Sequence, residues 1–445
     1  MADVKWIGGA PTKAEVQTAT IGGTWANAET ITATVGGRSI TVTLGATSAA
    51  SVTAVANALK AAWNNTAASA DETWDFDGDD FAEMSGITLS SSSGNLTFTA
   101  DTAGIPFTVT LSETSTSGTV SSMTIATAAT GPSDWDNKRN WSTNTVPVNG
   151  DVVFLEDSDV DVLYGLDQSA VSLTALHIHS TYTGNIGLDS MRDRGEATEH
   201  KEYRRLALKL GGTVFVYVGK GDGEGSARIR IEFNAGGTAY VHSTGDSAVD
   251  GHPAVFLTGG SSAAANVYGG SVWIGGEGGD AISFANVNIS GSEDDTPEVV
   301  IGHEGSGTTT QITAANATVF VDSSTGTLNI YAGATVTLAS AWSAGNITMK
   351  GGGGVLLLTG TTKALANVTV ADVAHFDATG FLGGVTVSGA FTCYAGAIVT
   401  FPEGCSRPDI TLAAGVGIAG TGLGQAFATL NLPLTGSSDI LFTGL

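Results

Sequence analysis

The sequence has 445 residues and a formal net charge of −25, with 18 basic and 43 acidic side chains. This excess of negative charge repels nucleic-acid phosphates and anionic membrane surfaces, so neither is an expected partner. Hydrophobic residues make up 42% of the chain, which is enough for a buried core, and its 61 glycines allow many tight turns. Because Thr, Ser and Val are also abundant, we predict a mainly β protein.

Targeting signals and cysteine motifs are both sparse. The N-terminus lacks an apolar stretch of signal-peptide length, and no run approaches the roughly 20 apolar residues of a membrane helix. We therefore expect synthesis in a bacterial cytoplasm without membrane insertion. Cys393 and Cys405 lack the spacing of a zinc site and are too few for a disulfide framework, so both are expected to be reduced.

Residues 1–130 are predicted to form a small N-terminal α/β domain. The segment ETITATVGGRSITVTL has the alternation of a two-residue hairpin, with Gly36 and Gly37 in the turn. The segment SAASVTAVANALKAAW, which follows shortly after, places its apolar residues on one helical face. A second hairpin is predicted between the apolar positions of 96–100 and 107–111, across an Asp-Thr-Ala-Gly turn. These elements indicate a compact core and no chemistry.

The acidic loop at residues 75–83 is a candidate calcium site. Four aspartates lie within six residues, but the glycine and glutamate positions do not match an EF-hand loop. Two interpretations stay open: an irregular calcium site, and a solvated loop with its aromatic residues partly turned inward.

Residues 131–210 are predicted to be a junction and the first strands of a second domain, with a charged insertion at 191–205. The composition changes abruptly at residue 131, where proline and two tryptophans appear. Trp135 and Trp141 are candidates for stacking on a glycan. The alternative, which we favour, is that they cover the open end of a β-structure.

Residues 211–445 are predicted to form a right-handed parallel β-helix, or β-solenoid. Short apolar strands follow one another, and a three-residue motif recurs about every 20 to 30 positions. The motif is a small residue, then Asn, then an aliphatic or small residue. Such a repeat buries the face of each coil on the next. We expect the repeated asparagines to bridge coils by amide hydrogen bonds; they are Asn266, Asn286, Asn316, Asn346 and Asn367. Strand residues also recur about 20 apart: Leu328, Ile347, Val368 and Val385 form one series, and Val336, Val355 and Ala374 another.

Catalytic motifs are not evident. The glycine-rich VGKGDGEGS at 218–226 lacks the phosphate-loop pattern and precedes a strand instead of a helix, so it is predicted to be a turn. No nucleophile or metalloprotease motif occurs, and no pair among the many acidic residues stands out. An enzyme is therefore not expected; if the chain were one, a polysaccharide depolymerase with paired carboxylates would be the class.

His177 and His179 are a candidate metal site. Alternate residues of a strand point to one face, so both imidazoles would project together. If three chains met there, six nitrogens would surround one ion. The alternative is a surface pair without metal, and no other cofactor is expected.

The charged insertion is a candidate docking surface. Nine of the eighteen basic residues lie between Arg192 and Arg230. We interpret them as a surface for an acidic partner or a neighbouring subunit, with a solvated loop as the alternative. The candidate docking residues are Arg192, Arg194, Lys201, Arg204 and Arg205.

Several stretches resemble β-solenoid structural proteins of tailed phages, notably EYRRLALKLGGTVFVYVGKGDGEGSARIRIEF, HSTGDSAVDGHPAVFLTG and ANVYGGSVWIG. The front part, with KWIGGA and TATIGGTWANAETITATVGGRSITVTL, looks like the small N-terminal module of such proteins. This resemblance implies a homotrimeric, non-enzymatic protein on the virion exterior, as a capsid decoration or head fibre. It also implies contact with other virion proteins such as the major capsid protein, and particle docking by the N-terminal domain.

Two alternative functions stay open. A tailspike or tail fibre would bind or cleave host surface glycan. The stretch WDNKRNWSTNTVPVNGDVVF is similar to the start of autotransporter passengers, which would imply a bacterial surface adhesin.

Overall fold

The structure is a computed structural model of the chain. It describes residues 2–189, 191–192, 200–219, 229–242, 253–260, 262–275, 281–302, 306–339, 345–352, 354–359, 363–380, 385–394, 396–401, 409–412, 417–419, 430–431 and 439–443.

The first third of the chain contains ten strands and two helical segments. They are β1 (Asp3–Lys5), β2 (Val16–Gly23), β3 (Thr30–Val35), β4 (Arg38–Thr43), α1 (Val52–Trp63), β5 (Thr73–Trp74), β6 (Ile87–Ser92), β7 (Asn95–Ala100), β8 (Thr110–Glu113), β9 (Gly118–Val120), β10 (Thr124–Thr127) and a 3-10 turn (Lys138–Asn140). Strands β2 to β10 form two antiparallel sheets, one with the order β5-β4-β3-β8 and the other with the order β10-β2-β7-β6, in which β9 also pairs with β2. Together with α1 they enclose a hydrophobic core of their own.

Two of the predicted elements of this small domain are confirmed. Strands β3 and β4 pair as a hairpin, and Gly36 and Gly37 have φ values of 59° and 82°, which the tight turn requires. Helix α1 begins after Ser51, whose side chain accepts a hydrogen bond from the Ala54 amide. Its apolar face, which includes Val55, is buried in the domain core.

The second predicted hairpin is wrong. Strand β7 lies between β2 and β6, so both of its edges are already paired, and β8 pairs with β3 instead. The turn that the chain does form is Ser93-Gly94, with φ values of 50° and 85°. Phe107 and Val109 still enter the core, as their apolar character predicts.

The rest of the chain contains strands β11 to β41. They are β11 (Val152–Leu155), β12 (Asp167–Gln168), β13 (Ala175–Ile178), β14 (Met191–Arg192), β15 (His200–Lys201), β16 (Leu208–Leu210), β17 (Val214–Val218), β18 (Ile229–Phe233), β19 (Gly237–Val241), β20 (Val255–Gly259), β21 (Ala263–Val267), β22 (Ser271–Ile274), β23 (Ala281–Ile282), β24 (Phe284–Ser290), β25 (Glu298–Ile301), β26 (Ser306–Ala315), β27 (Thr318–Val321), β28 (Ser324–Ile330), β29 (Thr335–Leu338), β30 (Asn346–Met349), β31 (Val355–Leu358), β32 (Lys363–Leu365), β33 (Asn367–Val370), β34 (His375–Asp377), β35 (Val385–Val387), β36 (Phe391–Cys393), β37 (Ile398–Thr400), β38 (Ile410–Leu412), β39 (Gly417–Ala419), β40 (Leu430–Asn431) and β41 (Asp439–Thr443).

Strands β14 and β15 pair only with each other, antiparallel, and the other strands build a parallel β-solenoid, as predicted. The chain passes alternately through a 15-stranded and a 13-stranded sheet, so each coil adds one strand to both, and β32 pairs with β35 in a short third ladder. Inward-facing residues alternate with outward-facing ones, and the inward set forms one continuous core from Val4 to Ile410. The glycine-rich 218–226 turn lies mostly outside the described residues, but β17 and β18 flank it as expected.

The predicted repeat matches the observed register only in part. Leu328 pairs with Ile347 and Ile347 with Val368, as expected, but the next partner is Phe391. Val385 belongs to the third ladder instead. Val336 pairs with Leu356 and Leu356 with Phe376, so the second series is displaced by one residue at Val355 and by two at Ala374.

The N-terminal strand belongs to the solenoid and not to the small domain. Strand β1 pairs in parallel with β11 and forms the first edge of the 15-stranded sheet. The chain then leaves for the small domain and returns, with Lys13 and Thr130 side by side in an antiparallel bridge. The small domain is therefore an insertion between these two residues, which corrects the predicted domain of residues 1–130.

Three tryptophans close the end of the solenoid, and we call Trp6, Trp135 and Trp141 the tryptophan cap. The ring of Trp141 meets those of Trp6 and Trp135 edge-on, with centroids 4.9 and 4.6 Å away. Trp135 and Trp141 are 0% and 1% exposed, so neither ring has a free face for a sugar. The glycan-stacking interpretation is therefore wrong for both, and the interpretation as a cover is confirmed.

We predict that Trp141→Ala lowers the free energy of unfolding by about 3–5 kcal/mol, because it removes a buried ring and leaves a cavity under β1. Chemical denaturation followed by circular dichroism measures this change. The control is Ile7→Ala, since Ile7 is 52% exposed beside the same cap. A loss for Trp141→Ala no larger than that for Ile7→Ala would contradict the role of the cap.

Candidate functional site

His177 lies in a stack of rings on the outer face of the 15-stranded sheet. Its imidazole lies between Phe154 and Tyr217, with centroid distances of 4.9 and 4.7 Å and nearly parallel planes. Tyr217 stacks in turn on Tyr240 at 5.1 Å. Burial lowers the pKa of His177, with a further contribution from nearby His179, so the neutral imidazole is favoured.

His179 is exposed, with Nδ1 3.5 Å from the Thr181 hydroxyl. Within the described residues, no three His, Cys, Asp or Glu side chains are placed to hold one metal ion. A metal at His177 and His179 would need further ligands from elsewhere, such as another chain, and this site stays a prediction.

The stack is the first part of a longer column, which continues along the solenoid with amide and hydroxyl side chains. We call the whole column, rings included, the outer row. Its members pair in register from strand to strand; they are Phe154, His177, Tyr217, Tyr240, Asn266, Asn288, Thr313, Asn329, Thr348, Thr369, Thr392 and Thr411. Asn288 donates to Asn266 at 3.1 Å, and Asn367, in a neighbouring column, donates to Asn346 at 2.7 Å. The expected bridging of coils by asparagine is thus confirmed for Asn346 and Asn367, whereas Asn266 bonds to Asn288 and not to Asn286.

Two of the five predicted docking residues bind their own chain. Arg204 donates to both carboxylate oxygens of Glu202, and its guanidinium lies 5.5 Å from the centre of the Tyr164 ring. Arg205 forms ion pairs with Glu232 at 2.6 Å and Asp167 at 3.4 Å. Both arginines thus have partners within their own chain, and a docking role for them stays a prediction. Arg194 and the side chains of Arg192 and Lys201 lie outside the described residues.

Residues 202–205 fasten the small domain to the solenoid, and we call them the clamp segment. Tyr203 packs against the core of the small domain, and a side chain at Gly36 would come within 3.0 Å of its ring. Arg204 also approaches the Pro106 carbonyl of the small domain at 3.5 Å. Part of the basic cluster therefore makes contacts between the small domain and the solenoid.

Two concavities of about 250 and 340 Å³ lie on either side of Arg204, and we call them together the junction cleft. The larger is lined by both bodies of the chain, including Phe107, Tyr164 and Asp167. Asp134 lies close by, and its burial raises its pKa to about 6. A Cβ at Gly165 would lie 2.7 Å from the Asp134 carboxylate, so glycine is needed there. Sequence reasoning missed this cleft, because its walls are distant in the chain.

The carboxylates of the acidic loop at 75–83 accept hydrogen bonds from backbone amides of the loop and of β4. Asp75 accepts from the Thr41 amide at 3.0 Å, Asp77 from Asp79 at 3.0 Å, and Asp80 from Asp77 at 2.9 Å. Phe76 and Phe81 pack together at 5.2 Å. These contacts agree with the solvated-loop interpretation, and a calcium ion there stays an untested prediction.

Lys363 is a buried charge that sequence reasoning did not single out. It lies in β32 with 0% exposure, and its ammonium makes no hydrogen bond within the described part of the chain. Burial lowers its pKa to about 8, although nearby Asp322 acts in the opposite direction. Cys393 is also buried, and burial raises its thiol pKa to about 12, which makes it unreactive.

Comparison with known proteins gives no match: no family model, no curated protein and no solved structure matches this chain. In the described residues, no helix is long and apolar enough to cross a membrane. The functional argument therefore rests on the residues of the chain itself.

We predict that Lys363→Met stabilises the protein at pH 7 by on the order of 2 kcal/mol. The reason is that burial makes the charged amine less stable in the folded state than in the unfolded state. The pKa of this base is lower in the folded state, so its penalty is full below pH 8 and disappears as the pH rises towards 10.5. The difference in unfolding free energy between variant and wild type should therefore shrink over that window.

Denaturant unfolding at pH 7, 8, 9 and 10 measures the difference. Lys350→Met is the matched control, because Lys350 is exposed, and it should change stability little at any of these pH values. A Lys363→Met effect that does not vary with pH would show that the buried ammonium is not its cause.

Proposed function

We propose that this chain is a non-enzymatic structural protein on the exterior of a phage particle, as a capsid decoration or head fibre. The observation that supports this function best is the continuous solenoid core with a separately cored domain at one end. In such an architecture each coil is held by its two neighbours, and unfolding must break a long series of parallel ladders. The solenoid then serves as a durable projection, and the inserted domain as its attachment.

The outer surface fits a role in presentation and contact. The outer row offers a line of amides and hydroxyls, and the overall charge of −25 keeps unrelated anionic surfaces away. The resemblance in sequence supplies the remaining parts of the proposal: a homotrimer, contact with the major capsid protein, and a position on the virion exterior. The clamp segment supports docking through the small domain, because it transmits force from that domain to the solenoid.

We predict that removing the small domain abolishes attachment to the particle while the solenoid still folds. The excision removes residues 14–129 and joins Lys13 to Thr130 by a short glycine-serine linker, since these residues are already bridged. It also carries Tyr203→Ser, because that ring would lose its cover. Strand β1 and the tryptophan cap remain.

Co-sedimentation with particles that lack the endogenous protein measures attachment, and circular dichroism verifies the remaining β-structure. The full-length chain with Tyr203→Ser is the matched control and should attach. Attachment of the excised chain would contradict docking through this domain.

Cleavage of host glycan is the rival function, and one observation favours it. Asp134, whose pKa is about 6, lies beside the junction cleft, as a general acid would. Under the non-enzymatic proposal we expect no release of reducing ends from capsular or lipopolysaccharide glycan at pH 5 or pH 8. Release that is greater at pH 5 and lost in Asp134→Asn would replace the proposal with the enzymatic rival.

A further inference from the structure

Two sheet edges near the small domain are closed by specific contacts. On the β6 edge, the Trp63 side chain donates to the Ile87 carbonyl, and the Asn64 amide bonds to both backbone groups of Leu89. On the β1 edge, Lys5 exchanges hydrogen bonds with Ser142 through its amide and its carbonyl. An open edge is a template for another strand, so such contacts prevent unwanted pairing.

Strand β10 is an edge at which no such closing hydrogen bond is found among the described residues. It pairs with β2 along one side, and no strand among the described residues pairs with its other side. Thr124, Ile125 and Ala126 are all exposed, so neither face of the strand is covered, and Ile125 is 59% exposed.

The sequence around β10 lacks the charged residues that often protect an edge; the strand itself is short, with four residues, and its pairing with β2 is irregular between Ile125 and Thr127. Natural edge strands carry lysine, proline or inward-pointing charges. Residues 114–133 contain no Asp, Glu, Lys or Arg, in a chain that has 61 such residues. Strand β10 itself contains no proline. By contrast, β8, at an edge of the other sheet of the domain, ends at Glu113.

The geometry points to β10 as the site where an extended segment of another protein adds as a strand. A row of backbone donors and acceptors is complemented only by another strand, and both exposed faces leave room for its side chains. The net charge of −25 favours an occupant with basic residues. The segment that fits best is neutral where it pairs with β10 and basic at its flanks.

This inference rests on the proposed docking role of the small domain and names the surface that performs it. An added strand would gain several backbone hydrogen bonds along the side of β10 that no described strand occupies. It would also explain why one edge of this sheet is closed by α1 and the other is left open.

The test uses the full-length protein and a fluorescein-labelled peptide, KTVTVTVTK, in an anisotropy titration. Its proline variant KTVTPTVTK is the control peptide, because proline removes a backbone donor from the pairing. We expect saturable binding of the first peptide only, with protection of the Thr124–Thr127 amides from hydrogen exchange. Ile125→Lys should weaken binding about tenfold or more, since lysine on an edge opposes pairing and repels the basic peptide.

Val148→Lys is the matched variant, because Val148 is 60% exposed on the solenoid part and the change in charge is the same. It should bind the peptide as the wild type does. Equal binding by Ile125→Lys and Val148→Lys, protection elsewhere, or no saturable binding would overturn the inference. A dimer in light scattering that Ile125→Lys converts to monomer would also overturn it, in favour of self-pairing.

The peptide assay contains no particle, so its failure is distinct from failure of the proposed function. If excision of residues 14–129 abolishes attachment but Ile125→Lys attaches to particles normally, docking through the domain stands and the β10 site is wrong. If the excised chain still attaches, the docking role itself is wrong.

Discussion

In-register parallel pairing between successive coils is the constraint on which most of this structure depends. Each coil lies ~4.8 Å from the next, so residues at equivalent positions form columns along the solenoid. An inward column must be apolar throughout, and the continuous core satisfies that requirement. An outward column brings like side chains into contact, which is why Phe154, His177, Tyr217 and Tyr240 stack with nearly parallel rings.

The same constraint makes the two ends of a solenoid its weakest points, because only one neighbour holds a terminal coil. Here the first coil is closed by β1 and the tryptophan cap, both built from residues outside the repeat. The clamp segment then secures the inserted domain to this strengthened end. The contacts of the inserted domain and the tryptophan cap thus lie at the same end of the continuous core.

How far the sequence predicted the fold depended on whether a feature was local. The Gly36-Gly37 turn and helix α1 were predictable because their signals lie within a few residues. The pairing of β7 was not predictable, since β2, which is distant in the chain, pairs with the edge of β7 that was assigned to β8. Likewise the residues around Val355 are apolar on both faces of the strand, so the local sequence does not indicate which face is buried. Pairing with the neighbouring coil places Leu356 on the inward face.

The candidate site followed the same division. The density of tryptophan at the junction correctly indicated a cover, but Trp6 joins it from the other end of the inserted domain. The charges of Arg204 and Arg205 were visible, and Glu202, the partner of Arg204, lies only two residues away. The partners of Arg205, Asp167 and Glu232, lie on other segments and could not be assigned without the fold. The burial of Lys363 depends on the register of its coil, which its local sequence does not specify.

The position of β1 has a consequence for the order in which the chain acquires structure. The Ala2 amide bonds to the Asp151 side chain, which is 149 residues further along, so the residues of β1 cannot pair until a large part of the chain has been synthesised. The inserted domain consists of shorter-range contacts and can complete its core during that interval. By bringing Lys13 beside Thr130, the folded domain shortens the loop that must close and lowers its entropic cost. Folding of the small domain thus brings β1 close to β11, its partner in the solenoid.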